Sequence, residues 1–221
     1  MEKSIENIWK EGFLKSDALI APKVNNLYNQ KSIHIIDKFT RVFKINLIAI
    51  VAFSFIFLGL SYFVGIPVMG AIFFVVLNAM AFVNKGLLQG LQKIDKGVSS
   101  YYYLKTFNEW IKQLLSVNKK MSRFIYPIIF MSLILGFWFK DAQGVFLGER
   151  LLTKVLTEFP DLSLIFGIPV VAVLVILFII GLLAFFGDKI YQWDFKIVYG
   201  RIMKKLEELL ADLETLRDEK Y

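Results

Sequence analysis

The chain has no cysteine among its 221 residues. Disulfides, thiolate metal sites and thiol nucleophiles are therefore excluded. It has one histidine, His34, so a Ser-His-Asp set and a histidine-based metal site both lack parts. No phosphate-cradling glycine loop or nucleotide-binding motif occurs, which leaves a phosphoacceptor role for His34 without a kinase domain. His34 reads instead as a polar-face or interhelical residue. Charge is also missing, and in long intervals. No Asp, Glu, Lys or Arg lies within 45–84, 124–139 or 162–187. A bilayer core about 30 Å thick needs about 20 apolar helical residues. The intervals supply four such stretches, at 45–64, 66–84, 124–139 and 162–187. The fold class expected is an all-α membrane protein with four transmembrane helices.

What is present fits that reading. Hydrophobic residues make up 57% of the chain and the net charge is +7. A basic chain can bind nucleic acid, but here the cations sit between the apolar stretches. Residues 1–44 hold 8 Lys/Arg and 5 Asp/Glu, and residues 85–123 hold 8 and 2. The loop 140–161 holds 3 and 4, and the tail 188–221 holds 7 and 8. Lys and Arg avoid the translocated side. Both basic segments are therefore expected in the cytoplasm, with four crossings returning the C-terminus there. The chain is therefore expected to be an integral membrane protein with both termini on the cytoplasmic side. The first residues are charged and mixed rather than signal-peptide-like, so the first span is expected to act as the targeting signal.

Five segments follow: N-terminal helices at 1–44, a transmembrane hairpin at 45–84, a cytoplasmic helical hairpin at 85–123, spans three and four within 124–187 around an outside loop at 140–161, and a C-terminal helix at 188–221. Apolar stripes continue beyond the spans. Ile35, Phe39 and Phe43 recur at helical spacing, as do Leu87, Leu91 and Ile94, and Leu104, Phe107, Ile111 and Leu114. Pro22 fits the first turn of a helix that then runs unbroken into span one. Phe195, Val198, Ile202, Leu206, Leu209, Leu213 and Leu216 form a heptad-like seam in the tail. Such stripes need burial, so the extensions are expected to form a cytoplasmic helical bundle stacked on the transmembrane one. The acidic end of the tail, with Glu207, Glu208, Asp212 and Glu214, is expected to face the basic helix carrying Lys23, Lys31, Lys38, Arg41 and Lys44. In the outside loop Leu147, Leu151, Leu152, Val155 and Phe159 predict a short amphipathic helix ended by Pro160.

Two sets of residues are candidate protein-binding positions. One is the N-terminal face of Ile5, Ile8, Trp9 and Phe13. The other is the tail seam of Leu206, Leu209, Leu213 and Leu216. Asn78 is the most central polar residue of the spans, and either bonds across a helix pair or lines a pore in an oligomer. Ionisable residues are nearly absent from the spans, which argues against an ion-coupled transporter. Gly167 and Gly181 read as packing glycines of span four, and Pro67, Pro127 and Pro169 lie near span ends. Tyr101, Tyr102 and Tyr103 with Lys93, Lys96 and Lys105 read as membrane-surface or bundle packing rather than a nucleic-acid surface.

The runs Ile8-Trp9-Lys10-Glu11-Gly12-Phe13, Leu27-Tyr28-Asn29-Gln30-Lys31-Ser32 and Phe43-Lys44-Ile45-Asn46-Leu47 resemble those of small bacterial multi-pass membrane proteins, a family to which no activity is attached. The resemblance implies, for some members, holding a transcription factor such as an alternative sigma factor at the membrane. The His/Cys zinc motif of one anti-sigma class is missing. The expected function is a non-enzymatic inner-membrane scaffold or signalling protein that binds a cytoplasmic protein partner or a second copy, with lipid around its spans. No cofactor, metal, nucleic acid or small-molecule substrate is expected. The competing expectation is a transport component or oligomeric pore.

Overall fold

The computed structural model describes residues 17–96, 99–141 and 143–218, and side chains within 30–215 of these. The N-terminal face of Ile5, Ile8, Trp9 and Phe13 lies outside the described residues. The chain is helical: α1 (Asp17–Val64), α2 (Pro67–Gln92), α3 (Ser100–Trp138), α4 (Leu147–Glu158) and α5 (Val170–Asp218), with two short strands, β1 (Leu164–Ile165) and β2 (Ile168–Pro169), before α5. Four of these helices are long and apolar enough to cross a membrane. Helix α1 packs along α2, α2 along α3, and α3 along α5, while α1 meets α5 over a shorter length.

Helices α1, α3 and α5 each run without a break from an apolar half into a charged half, and α2 carries one charge, Lys85. In α1 no glycine or proline occurs from Lys23 to Leu58. The helix begins at Asp17 and runs through Pro22, so Pro22 is not the first-turn residue of a new helix. A proline there removes one backbone bond, to the Ala18 carbonyl, and the remaining ladder of 48 residues holds. The turn between α1 and α2 is set by Gly65, whose φ is +79°. Ile66 N–H donates to the Ser61 carbonyl at 2.8 Å and Gly65 N–H to the Tyr62 carbonyl at 3.1 Å, which caps the last carbonyls of α1. Pro67 then opens α2, where its missing N–H costs nothing.

Small residues let the apolar halves approach closely. A Cβ on Gly70 would collide with the Ser61 side chain, and one on Gly136 with Met69. A Cβ on Gly187 would lie 2.9 Å from the Ser122 carbonyl of α3. Pro127, near the start of the uncharged interval, lies inside α3, which continues on both sides of it. It leaves the Arg123 carbonyl without its helical donor, next to the backbone that Gly187 approaches.

The start of the last long helix differs from the expectation. Residues 164–169 form a hairpin, and α5 begins at Val170. Leu164 pairs with Pro169 and Ile165 with Ile168. Both turn residues have positive φ, +49° at Phe166 and +78° at Gly167, the pattern of a two-residue type I′ turn. Gly167 is thus a turn glycine rather than a helix-packing one. Pro169 disfavours helix in the residue before it, which explains why the apolar run from 162 does not continue as helix. Helix α4 matches its expected span and ends just before Pro160; Gly148 lies close against the Trp138 ring.

The charged halves share one core. Phe39, Leu104, Phe107 and Leu206 are fully buried, with Ile36, Phe43, Tyr103, Trp110, Ile111, Leu114, Phe195, Tyr199 and Leu209 around them. The rings interlock: Phe39 meets Phe107 at 5.3 Å and Tyr199 at 4.8 Å, and Trp110 edges onto Phe43 at 6.0 Å. Edge and offset contacts of this kind add about 1 kcal/mol each beyond area burial. The expected pairing of tail acids with α1 cations is not found at Lys38, Arg41 or Lys44 among the described residues. Asp37 instead holds Lys96 at 2.9 Å, and Lys204 lies 3.9 Å from Glu208 on its own helix. The α1–α5 contact is made by aromatic rings, and the charges keep their water, which such exposed pairs replace at little gain.

Candidate functional site

Where apolar halves become charged halves, the helices are joined by polar side chains, some buried and some at the exposed edge. Asn84 on α2 and Asn118 on α3 face each other, each Nδ2 donating to the other's Oδ1 at 2.9 Å. Each also donates back to the carbonyl four residues earlier, Met80 and Leu114. Both amides are buried and all four of their N–H groups are used. One turn further into the charged half, Trp110 Nε1 donates to the Leu87 carbonyl at 2.9 Å. Across the bundle Asn46 on α1 donates to the Tyr199 hydroxyl on α5 at 2.8 Å. Tyr126 on α3 donates to the Asp194 carboxylate at 2.9 Å, and Arg123 pairs with Asp188 at 3.0 Å.

These groups surround a cavity of about 570 Å³ bounded by α1, α2, α3 and α5. Ile50, Phe53, Phe73, Leu77 and Ile129 line its apolar end, and Asn46, Asn84, Asn118, Tyr126, Asp194 and Tyr199 its polar end. The volume lies in the range of small-molecule sites, about 300–1,000 Å³. Asn84 bonds Asn118, Asn46 bonds Tyr199 and Tyr126 bonds Asp194 across helices, so the arrangement is suited to holding helices in register around apolar matter. Asp194 is its one carboxylate, and it already accepts from Tyr126.

The sequence-predicted residues fall elsewhere. Leu206 and Leu209 are buried in the chain's own charged-half core, Leu213 packs at its edge, and the Leu216 side chain lies outside the described residues. Val198 is 49% exposed. The seam passes instead through Tyr199: Phe195, Tyr199, Ile202, Leu206, Leu209 and Leu213 keep the alternating four- and three-residue spacing of a strict heptad, which Val198 breaks. Asn78 donates to Ser54 Oγ at 2.8 Å and to the Phe74 carbonyl at 2.8 Å. Its amide therefore ties α1 to α2 within one chain and does not meet the tail. His34 is exposed. At the far end of the bundle Tyr102 is exposed beside the buried Tyr103. Lys96, in the turn there, has its pKa raised by the hydrogen bond to Asp37, partly offset by desolvation.

The asparagine pair was not singled out by sequence reasoning, although a signal existed. Asn84 continues the buried row of Leu88 and Leu91, and Asn118 continues that of Phe107, Ile111 and Leu114. A polar residue in register with two apolar stripes on consecutive helices marks an interhelical bond. No family model, curated protein or solved structure matches the chain.

Proposed function

We propose that the chain is a non-enzymatic scaffold or signalling protein of the bacterial inner membrane. Its charged half lies in the cytoplasm and binds a protein partner, of the kind that a membrane anchor for a transcription regulator would hold, or a second copy. The observation that carries this reading is continuity. Helices α1, α3 and α5 pass without a break from an apolar half, whose outer face exposes rings such as Phe63 and Phe82, into a closed aromatic core. Large bare apolar surface requires cover, which lipid provides. A displacement of the apolar halves is then handed directly to the charged half, because packed cores shift as units rather than deforming continuously.

The transport reading has less support. The amide on which a pore was based is taken up by Ser54 and Phe74, and Asn84 and Asn118 satisfy each other. Photo-crosslinking from Tyr102, at the exposed tip of α3, tests the scaffold reading in native membranes. The expected result is a discrete protein adduct that disappears when the core is broken by Leu206→Asp. Adducts to lipid alone, together with solute flux through reconstituted vesicles that Asn78→Leu abolishes, would replace the scaffold reading with the pore.

A further inference from the structure

We propose that the groove between α1 and α2 holds one anionic phospholipid, its phosphate between Lys44 and Lys85 and one acyl chain along the groove. The groove encloses about 690 Å³. Leu47, Ile48, Val51 and Phe82 form its apolar walls, while Ala52 and Ala81 leave the space between them open. Lys44 is the last charge before the uncharged interval and Lys85 the first after it. The hairpin places both at one level. Each lies about 20 residues from the Gly65 turn, or about 30 Å along its helix.

Three observations select this occupant. Both lysines line the groove and no acidic residue does. Among the described residues neither ammonium has an ion pair or hydrogen bond within the chain, so the two positive charges are uncompensated at the mouth of an apolar groove. Asn78, at the deep end, spends both amide N–H groups on Ser54 and Phe74, which leaves that end suited to hydrocarbon. Two cations at interface depth above an apolar channel match an anionic headgroup with an acyl tail. A zwitterionic lipid would bring an ammonium against them.

The proposal rests on the reading that the apolar half lies in a bilayer, and resistance of the chain to alkaline extraction from membranes reports on that separately. Full-length chain is taken from bilayers of equimolar phosphatidylglycerol and phosphatidylcholine, and the retained lipid is weighed by native mass spectrometry. Each lysine is expected to contribute about fivefold enrichment of the anionic lipid. Lys44→Gln with Lys85→Gln should bring retention close to parity, and Lys44→Arg with Lys85→Arg should keep the preference. Ala52→Trp, which fills the groove with both lysines intact, should lower retention of either lipid. Equal retention of the two lipids by the unaltered chain overturns the proposal. So does enrichment that survives the glutamine pair, or retention unchanged by Ala52→Trp, which would mean attraction to the surface charge alone. Displacement of the lipid by inorganic phosphate would likewise overturn the role given to the acyl chain. A chain released by alkali would overturn the bilayer premise and the proposal together.

Discussion

Asn84 and Asn118 act as a pair, and their removal should be strongly non-additive. Replacing one by Leu leaves the other amide buried without its partner, a cost of about 1–3 kcal/mol. Replacing both removes the unmet need as well. In membrane bundles such contacts average about 0.6 kcal/mol, so the double replacement should be close to neutral. Thermal unfolding of Asn84→Leu, Asn118→Leu and the double variant in detergent closes the cycle. Additive losses would mean that each amide acts alone. Gly187 makes a second prediction at this scale. A Cβ there would meet backbone at Ser122 and Arg123 rather than a yielding side chain. Gly187→Leu should therefore separate α3 from α5 and lower the unfolding temperature far more than Gly181→Leu, where a Cβ meets nothing. The sequence already contained both contacts as residue types. Which small residue faces a neighbour is decided by helix phase and crossing, and composition does not carry that.

At the level of elements, the long helices were readable because their stripes and their uncharged intervals agree. The row Leu104, Phe107, Ile111 and Leu114 is buried along its whole length. The start of α5 was not readable, since an apolar run has no period that separates a buried strand pair from a helix. The positive φ at Phe166 and Gly167 was the missing information, and a single glycine before Pro169 was its only trace. The tail was half readable. The expected row ran through Val198, whereas the packed position is Tyr199, which lies seven residues before Leu206 and so keeps the heptad. This gives a paired test. Leu206→Asp puts a charge into a fully buried position and should make the tail accessible to protease, at a cost of several kcal/mol. Val198→Asp, at a half-exposed position on the cavity rim, should leave the tail protected and lower the unfolding temperature far less than Leu206→Asp does. Equal sensitivity of the two would return Val198 to the seam in place of Tyr199.

For the whole molecule, the shared core ties segments distant in sequence to one side. Phe39, Phe107, Tyr199 and Leu206 pack in a single cluster, so the charged halves of α1, α3 and α5 cannot be divided by a membrane. That constraint has no sign: it requires one side without saying which. The sign comes from charge, with 8 Lys/Arg against 2 Asp/Glu in 85–123, and cations of short loops are retained in the cytoplasm. The two arguments are independent, so reporter fusions after residues 98, 150 and 221 can separate them. Inside, outside and inside is the expected order. Outside, inside and outside would keep the core and overturn the charge argument. Opposite sides for 98 and 221 would break the core itself, and with it the continuity from apolar to charged half on which the scaffold reading stands.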